Sequence, residues 1–444
     1  MTTCCGDNDM LGSKGIGGAA FMLRDGLRGV PPGQSGVRSD EVAQFDWQPF
    51  DGKMSLPLLS LDLDAYSGNR SAMIKICQHF GISIAPHAKT PMSPALAADL
   101  VENGAWAISV ADIRQAAIML DSGLTRIVIA NEIGGRNAIK RLAHLLSRFP
   151  TAEVHVFVDS ADFVEALDSV WRQDPNLPAL GLLLEVGCGR GGVQTHTQVD
   201  GIVRAVERCD NERLSFSGVA TYEGTANTPD AAQLKINLDQ LFQRVEAALT
   251  AVRKSVAPNK RLILTAGGSS LFDHVITRSL PIIAADRDCV LVLRCGAVFF
   301  CDHGPISARL QAMAQRSLLG DAVTDVIAHA FKPTLRIWAE VLSVHDDVAI
   351  CGLGLRDVAH DQGLPIPLRV WTDGKLRLTF PTSSSVPKLN DQHAFVPCAG
   401  TNLRVGDVIE FGICHPCTTL DKHSVIYGLD GEAKVASVFP TFFG

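Results

Sequence analysis

GISIAPHAKTPMSPALAADLVENGAWAISV, residues 81–110, decides the fold. GISIA is short, apolar and partly β-branched, the texture of a buried strand. SPALAADLVENG (93–104) has a helical pattern that stops on a glycine, a natural helix end. AWAISV (105–110) is apolar again. A strand, a helix and a strand in this order form a βαβ unit with parallel strands. PHAKTPM (86–92) fills the first junction. Lys89 therefore falls at the C-terminal end of a strand, with His87 two places before it.

The unit repeats. Further strand-like runs are RIVIAN (126–131), EVHVFVD (153–159), LGLLLEVG (180–187), LSFSGVATYEG (214–224), RLILTAGG (261–268) and VLVLRCGAVFF (290–300). Helical patterns lie between most of them, at 112–123 and 231–253 for example. About eight repeats in roughly 250 residues predict a (β/α)₈ barrel. An open doubly wound sheet is the alternative, but no nucleotide fingerprint opens the series. Counting LPLLSLDLD (56–64), nine runs compete for eight places. From 334 to 444 the runs become alternating and turn-separated, which predicts an antiparallel β domain. The resulting division is a loose, irregular extension over 1–50, the barrel over 51–305 and the β domain over 306–444.

Bulk properties narrow the function. The chain has 444 residues, 46% apolar and 20% charged, with net charge −7. No basic stripe points to nucleic acid. No run approaches the ~20 apolar residues of a membrane span. The N-terminus does not read as a signal peptide. Twelve cysteines without regular spacing read as reduced thiols of a cytoplasmic protein, and Cys4 and Cys5 fall in the N-terminal tail.

In a barrel, chemistry gathers where strands end. Lys89 there is a solvated rim lysine or, if partly dried by its surroundings, an amine able to form a Schiff base. Arg190 stands among four glycines in EVGCGRGGV (185–193), and Tyr222 and Glu223 follow a strand in TYEGTAN (221–227). TAGGSS (265–270) offers backbone N–H groups and hydroxyls to a phosphate. Each cluster alone also reads as ordinary turn chemistry. CHPC (414–417) places His415 and Cys417 two apart, on one side of an extended backbone. Both are zinc ligands by type, and a plain β-turn is the other reading.

PHAKT, EVGCGRGGV, GVATYEG, TAGGSS and CHPC, in this order, resemble the fold-type III pyridoxal-phosphate enzymes, and among them the D-serine dehydratase and D-threonine aldolase group. The resemblance covers roughly 55–444. It implies an alanine racemase-type barrel followed by a β domain, with the run at 56–64 joining the β domain. It implies that Lys89 carries pyridoxal phosphate and that Thr265, Gly267, Gly268 and Ser269 hold the phosphate. His87, Arg190 and Tyr222 would surround the ring. His415 and Cys417 would hold Zn²⁺, since the dehydratases resemble this chain in His-x-Cys while aldolases more often show His-x-Asp. Relatives often read THK after the lysine; here TPM (90–92) is expected beside the reacting carbon. Homodimers are common in the family.

The activity so implied is that of a dehydratase converting a D-3-hydroxy amino acid, such as D-serine or D-threonine, to a 2-oxo acid and ammonia. The alternatives are retro-aldol cleavage, as in D-threonine aldolase, and a non-catalytic pyridoxal-phosphate-binding protein. A racemase of this fold would need a second base, usually a tyrosine from the β domain of the partner chain. Of the three tyrosines, Tyr66, Tyr222 and Tyr427, only Tyr427 lies there. A metal-dependent barrel hydrolase would need His and Asp ligands at strand ends, and no HxH occurs.

Overall fold

The computed structural model describes residues 20–209 and 211–443. Its first large element set is β1 (Leu58–Asp62), α1 (Leu63–His79), β2 (Ser83–Ile84), α2 (Pro94–Glu102), β3 (Ile108–Val110), α3 (Ile113–Asp121), β4 (Arg126–Ile129), α4 (Arg136–Ser147), β5 (Glu153–Val158), α5 (Ala161–Trp171), β6 (Leu180–Val186), α6 (His196–Arg208), β7 (Leu214–Thr221), α7 (Ala231–Lys254), β8 (Leu262–Ala266), α8 (Phe272–Ala284) and β9 (Cys289–Leu293). Strands β2 to β9 form one parallel sheet of eight, in the order β2-β9-β8-β7-β6-β5-β4-β3. The last gap, between β2 and β3, closes through Trp106 N–H to the Ile84 carbonyl (2.8 Å), Ser109 N–H to Pro86 (3.0 Å) and Ala88 N–H to Ser109 (2.8 Å). The seam of the barrel therefore runs into PHAKT itself.

The interior is filled from every strand. Ala85, Ala107, Val128, Phe157, Leu183, Ala220, Ile263 and Val292 form a buried cluster of their own, the layered packing expected inside a barrel. Three alanines leave room for Phe157, which becomes part of the floor of a cavity above.

The chain continues through α9 (Pro305–Arg316) and α10 (Asp321–His329) into β10 (Leu335–His345), β11 (Val348–Cys351), β12 (Ile366–Thr372), β13 (Lys375–Thr379), β14 (Lys388–Leu389), β15 (Ala394–Pro397), β16 (Val408–Gly412), the short α11 (Pro416–Leu420), β17 (Val425–Leu429) and β18 (Val435–Pro440). The second sheet runs β13-β12-β16-β10-β1-β17-β18, with β11, β15 and β14 beside it. β1, the ninth run, pairs antiparallel with β10 and parallel with β17. It is the first strand among the described residues yet sits inside the C-terminal sheet, between β10 and β17.

One expectation changes. Residues 20–50 lack long elements but are not loose. Leu23, Val30, Val42, Trp47 and Phe50 are buried in one cluster with Trp338 and Tyr427, and Phe50 stacks on Trp371 at 3.9 Å. Irregular backbone concealed this packing, because single buried apolar residues carry no periodicity. Cys4 and Cys5 lie outside the described residues; the described cysteines are all free. Among the described residues, no helix is long and apolar enough to cross a membrane.

Candidate active site

A cavity of about 210 Å³ opens at the C-terminal ends of the barrel strands, between the barrel and the β domain. His87, Lys89, Arg190, Tyr222, Gly267, Gly268, Ser269, His415 and Cys417 all line it. These residues come from five separated stretches of sequence.

Lys89 sits in the turn after the β2–β3 seam, exposed at the cavity wall. Of the two sequence alternatives it is the wet one, and no described side chain pairs with its Nζ. Its backbone is fixed: Lys89 N–H reaches His87 Nδ1 at 3.4 Å, and Met92 N–H bonds the Ala88 carbonyl at 2.8 Å. Burial lowers the His87 pKa well below the usual histidine value, and the charges of Lys89, Arg294 and Arg190 add to it. His87 is therefore a neutral imidazole. Of TPM, only Thr90 reaches the cavity. Met92 is buried in the core at φ +40°, and its carbonyl accepts Phe442 N–H at 2.9 Å. The departure at 91–92 is thus a packing feature tying the chain's end to the lysine turn.

The Arg190 loop folds back on itself. Gly187 N–H bonds the Val193 carbonyl (3.0 Å) and Val193 N–H bonds Glu185 (2.8 Å). A Cβ on Gly187 would lie 1.5 Å from the Gly191 carbonyl oxygen, so only glycine closes the loop. Arg190 then projects over the Tyr222 ring, 5.1 Å from its centre. Beneath lies a carboxyl pair missed by the sequence reading. Burial and the neighbouring Glu132 push Glu185 up to about 9, so it stands protonated near neutrality.

TAGGSS needs a correction. Thr265 is fully buried and does not line the cavity. Its hydroxyl donates to the Val292 carbonyl (2.9 Å) and accepts from Arg294 Nη1 (2.8 Å). The amides of Gly267 and Gly268 donate to the Glu223 carboxylate at 3.1 and 2.7 Å. Glu223 is 1% exposed. Two of the N–H groups assigned to phosphate are therefore already satisfied. Glu223 was visible in sequence as a strand-end acid, but no local pattern pairs it with glycines 44 and 45 positions away.

Arg294 is the other residue the sequence reading passed over. It is 7% exposed, lies against the Phe157 ring with 5.4 Å to its centre, and donates to Thr221 O at 2.6 Å. The signal was there: VLVLRCG places an arginine at the end of an apolar strand. Gly296, two residues on, is packed so tightly that a Cβ would meet the His87 carbonyl at 2.4 Å. That contact draws the RCGA turn against the lysine turn. Gly296, Ala297 and Ser269 line the cavity there. These residues fit an anionic, ring-bearing cofactor: a glycine cradle, a buried guanidinium and a neutral imidazole surround the lysine.

His415 and Cys417 converge, though not by strand alternation. His415 is extended and Cys417 already lies in α11, with Pro416 opening the helix. His415 Nδ1 bonds Asp361 Oδ2 at 2.7 Å and Thr418 Oγ1 lies at 2.8 Å. A ligating histidine commonly holds a carboxylate on its other nitrogen in this way. Burial alone would raise the Cys417 thiol, but hydrogen bonds from His415 and Thr90 and the charges of His415 and Lys89 bring it below the usual value. Hydrogen bonding with Cys417 raises His415. The donor set fits a soft cation with open positions. Among the described residues, no third His, Cys, Asp or Glu completes a metal-binding group with them.

Thr90 Oγ1 stands 3.4 Å from Cys417 Sγ. Tyr66 donates to Asp99 at 3.0 Å and Tyr427 to the Arg28 carbonyl at 2.7 Å, both fully buried. Tyr222 is the tyrosine that faces the cavity.

Residues 61–277 match the family model for the N-terminal domain of alanine racemase, and residues 334–429 that of a putative serine dehydratase domain. The 3-hydroxy-D-aspartate aldolase of Paracoccus denitrificans (strain Pd 1222) is 25% identical over 404 residues, covering 88% of this chain and 92% of that one. The crystal structure of D-threonine aldolase from Filomicrobium marinum superposes with a TM-score of 0.69 at 22% identity, covering 88% and 95% of the two chains. D-threo-3-hydroxyaspartate dehydratase from Delftia sp. HT23 gives 0.63 at 18%, over 88% and 98%. The two structural likenesses concern the fold.

Proposed function

This chain belongs to the fold-type III pyridoxal-phosphate enzymes, in the group of D-serine dehydratase and D-threonine aldolase, and from that premise we propose that it is a lyase that dehydrates D-3-hydroxy amino acids. The products are a 2-oxo acid and ammonia. Lys89 would hold pyridoxal phosphate, with its phosphate against Ser269, Gly296 and Ala297 and its ring between His87, Arg190, Tyr222 and Arg294. Bound there, the cofactor supplies an electron sink for the α-carbon. His415 and Cys417 would hold Zn²⁺, which supplies a Lewis acid for a hydroxyl.

The chain's own groups divide the remaining work. The Lys89 amine, unpaired among the described residues, takes the α-proton. His87 stays neutral, so it repels neither Lys89 nor the Arg294 guanidinium. Arg190 is free to pair with the substrate's α-carboxylate. The hydroxyl leaves as water once it takes up the proton that Lys89 removed from the α-carbon, and the enamine released hydrolyses to the 2-oxo acid and ammonia. The contact of Thr90 with Cys417 is the observation that carries this reading. It brings the proton-accepting turn and the proposed hydroxyl-activating pair together on one cavity. The donor pair is a soft one, and expelling hydroxide is the step that calls for it.

Retro-aldol cleavage is the second reading, favoured by the aldolase relative that matches most of the chain. Incubation of the zinc-loaded protein with D-serine, D-threonine and D-threo-3-hydroxyaspartate decides between them. Dehydration gives keto acid and ammonia; cleavage gives glycine and an aldehyde. Glycine as the main product would overturn the dehydratase reading. β-Chloro-D-alanine, whose leaving group needs no metal, should still be eliminated after chelation. The reading includes a homodimer, which light scattering tests.

A further inference from the structure

Resting on that reading, we propose that Arg309 recognises a second carboxylate on the substrate's side chain, so that the site prefers an acidic D-3-hydroxy amino acid over D-serine or D-threonine. Arg309 lies on α9 and lines the cavity together with Ile306, one turn before it. It forms no hydrogen bond or ion pair with a described residue. The neighbouring arginines are engaged. Arg316, on the same helix, bonds Asp273 at 2.8 Å, and Arg278 bonds Asp239 at 2.9 Å. Arg294, across the cavity, is held by Thr265 and Thr221. Arg309 is thus a guanidinium on the cavity wall with no carboxylate bonded to it.

Its place along the substrate follows from the packing of α9. His303 N–H bonds the Ile413 carbonyl at 2.9 Å, and Gly304 abuts Cys414, where an added Cβ would lie 3.1 Å away. The segment leading into α9 is therefore fastened to the strand end that presents His415 and Cys417. The substrate's hydroxyl belongs at that pair, so the group beyond its β-carbon points towards α9. A forked guanidinium there matches a carboxylate with two parallel hydrogen bonds. One carboxylate shares the wall: Asp302, which feels the Arg309 charge without bonding to it. Its Oδ1 accepts the Gly304 and Ile306 amides, both at 2.9 Å, which spreads its charge into the start of the helix.

The test uses the cofactor-loaded enzyme and two ligands lacking the β-hydroxyl, so that binding is read without turnover. Titration of the cofactor's visible absorbance should show D-aspartate binding about ten- to a hundredfold more tightly than D-alanine, the range of a charge-assisted hydrogen-bonded pair. Arg309→Met should bring the two affinities together, and Arg309→Lys should restore part of the gap. KM for D-threo-3-hydroxyaspartate should rise in Arg309→Met while kcat/KM for D-serine stays within about twofold. Equal wild-type affinities for D-aspartate and D-alanine would overturn the proposal. So would an equal loss on all substrates, which assigns Arg309 to the α-carboxylate, or a loss of cofactor affinity, which assigns it to the phosphate. Failure of the lyase reading looks different: no D-3-hydroxy acid is consumed, while the D-aspartate preference persists.

Discussion

The cavity has two walls of different construction. On the barrel side, Thr265, Glu223 and Arg294 are buried and fully engaged with one another's strand ends. On the β-domain side, His415 and Asp361 pair at 19% and 47% side-chain exposure, and Gln362 rests on the same imidazole at 3.2 Å. Buried, satisfied polar networks hold geometry rigidly, whereas exposed pairs are screened and adjustable. The barrel wall is built to hold one thing permanently. The other wall has the exposed, adjustable construction of a rim that exchanges ligands, which suits the cation and substrate proposed for it.

The sharpest way to break this division is at Lys89, which belongs to the rigid wall by backbone but is exposed by side chain. Lys89→Ala should lower keto-acid formation at least about a thousandfold, because anchor and base go together. Thermal unfolding should move little, since the side chain is exposed and unpaired. Borohydride reduction and peptide mapping should place the pyridoxyl group on Lys89. Label on Lys75 or Lys140 would remove the site from this cavity altogether.

The adjustable wall should respond to metal. His415→Ala, or chelation of the wild type, should slow D-serine elimination about a hundredfold and leave the cofactor's absorbance in place. Asp361→Ala, which only orients the imidazole, should cost about tenfold. If both variants lost the cofactor as well, the two walls would be one unit and the comparison would fail.

Legibility in the sequence divides along the same line. The barrel was readable because strand–helix alternation repeats eight times, and each repeat ends in glycines or polar groups. Lys89, Arg190 and Tyr222 could be placed because they follow apolar runs directly. His415 and Cys417 were singled out by spacing and both line the cavity, although helix initiation at Pro416 brings them together rather than strand alternation. Glu223 and Arg294 gained no role because their partners are distant in sequence. Glu223 spends its charge on two glycine amides, and such a contact leaves no periodic trace. Thr265 differs from its reading for the reverse reason: a hydroxyl in a glycine cluster looks available, but here it is buried and bonded to the Val292 carbonyl and Arg294.

Glu223 therefore tests the rigid wall. Glu223→Gln keeps the shape but replaces one accepting oxygen by a donor facing an amide. A buried N–H left unmet costs about 1–3 kcal/mol. The Gly267–Ser269 turn should loosen, and affinity for pyridoxal phosphate, followed by fluorescence quenching, should fall about tenfold. The metal-dependent elimination step should keep its kcat at saturating cofactor. Unchanged cofactor affinity would show that the network holds the strands and not the cradle.

Tyr427 carries the smallest effect and tests the racemase alternative. A second base must reach the α-carbon from the face opposite Lys89. Tyr427 lies on β17, between β1 and β18, fully buried, with its hydroxyl on the Arg28 carbonyl. Burial pushes its pKa above the ordinary phenol value, further from a base at neutral pH. Its ring also fills the space beside Gly29, where an added Cβ would lie 2.3 Å from it. Its role is to fasten residues 20–50 to the sheet. Tyr427→Phe should cost about 1 kcal/mol of stability, the net worth of one hydrogen bond, seen as a shift of a few degrees or less in Tm. The rate on D-serine and the inertness of L-serine should both be unchanged. An altered ratio of rates on the two enantiomers would place Tyr427 in the chemistry and make the adjustable wall a source of proton transfer as well as of a metal.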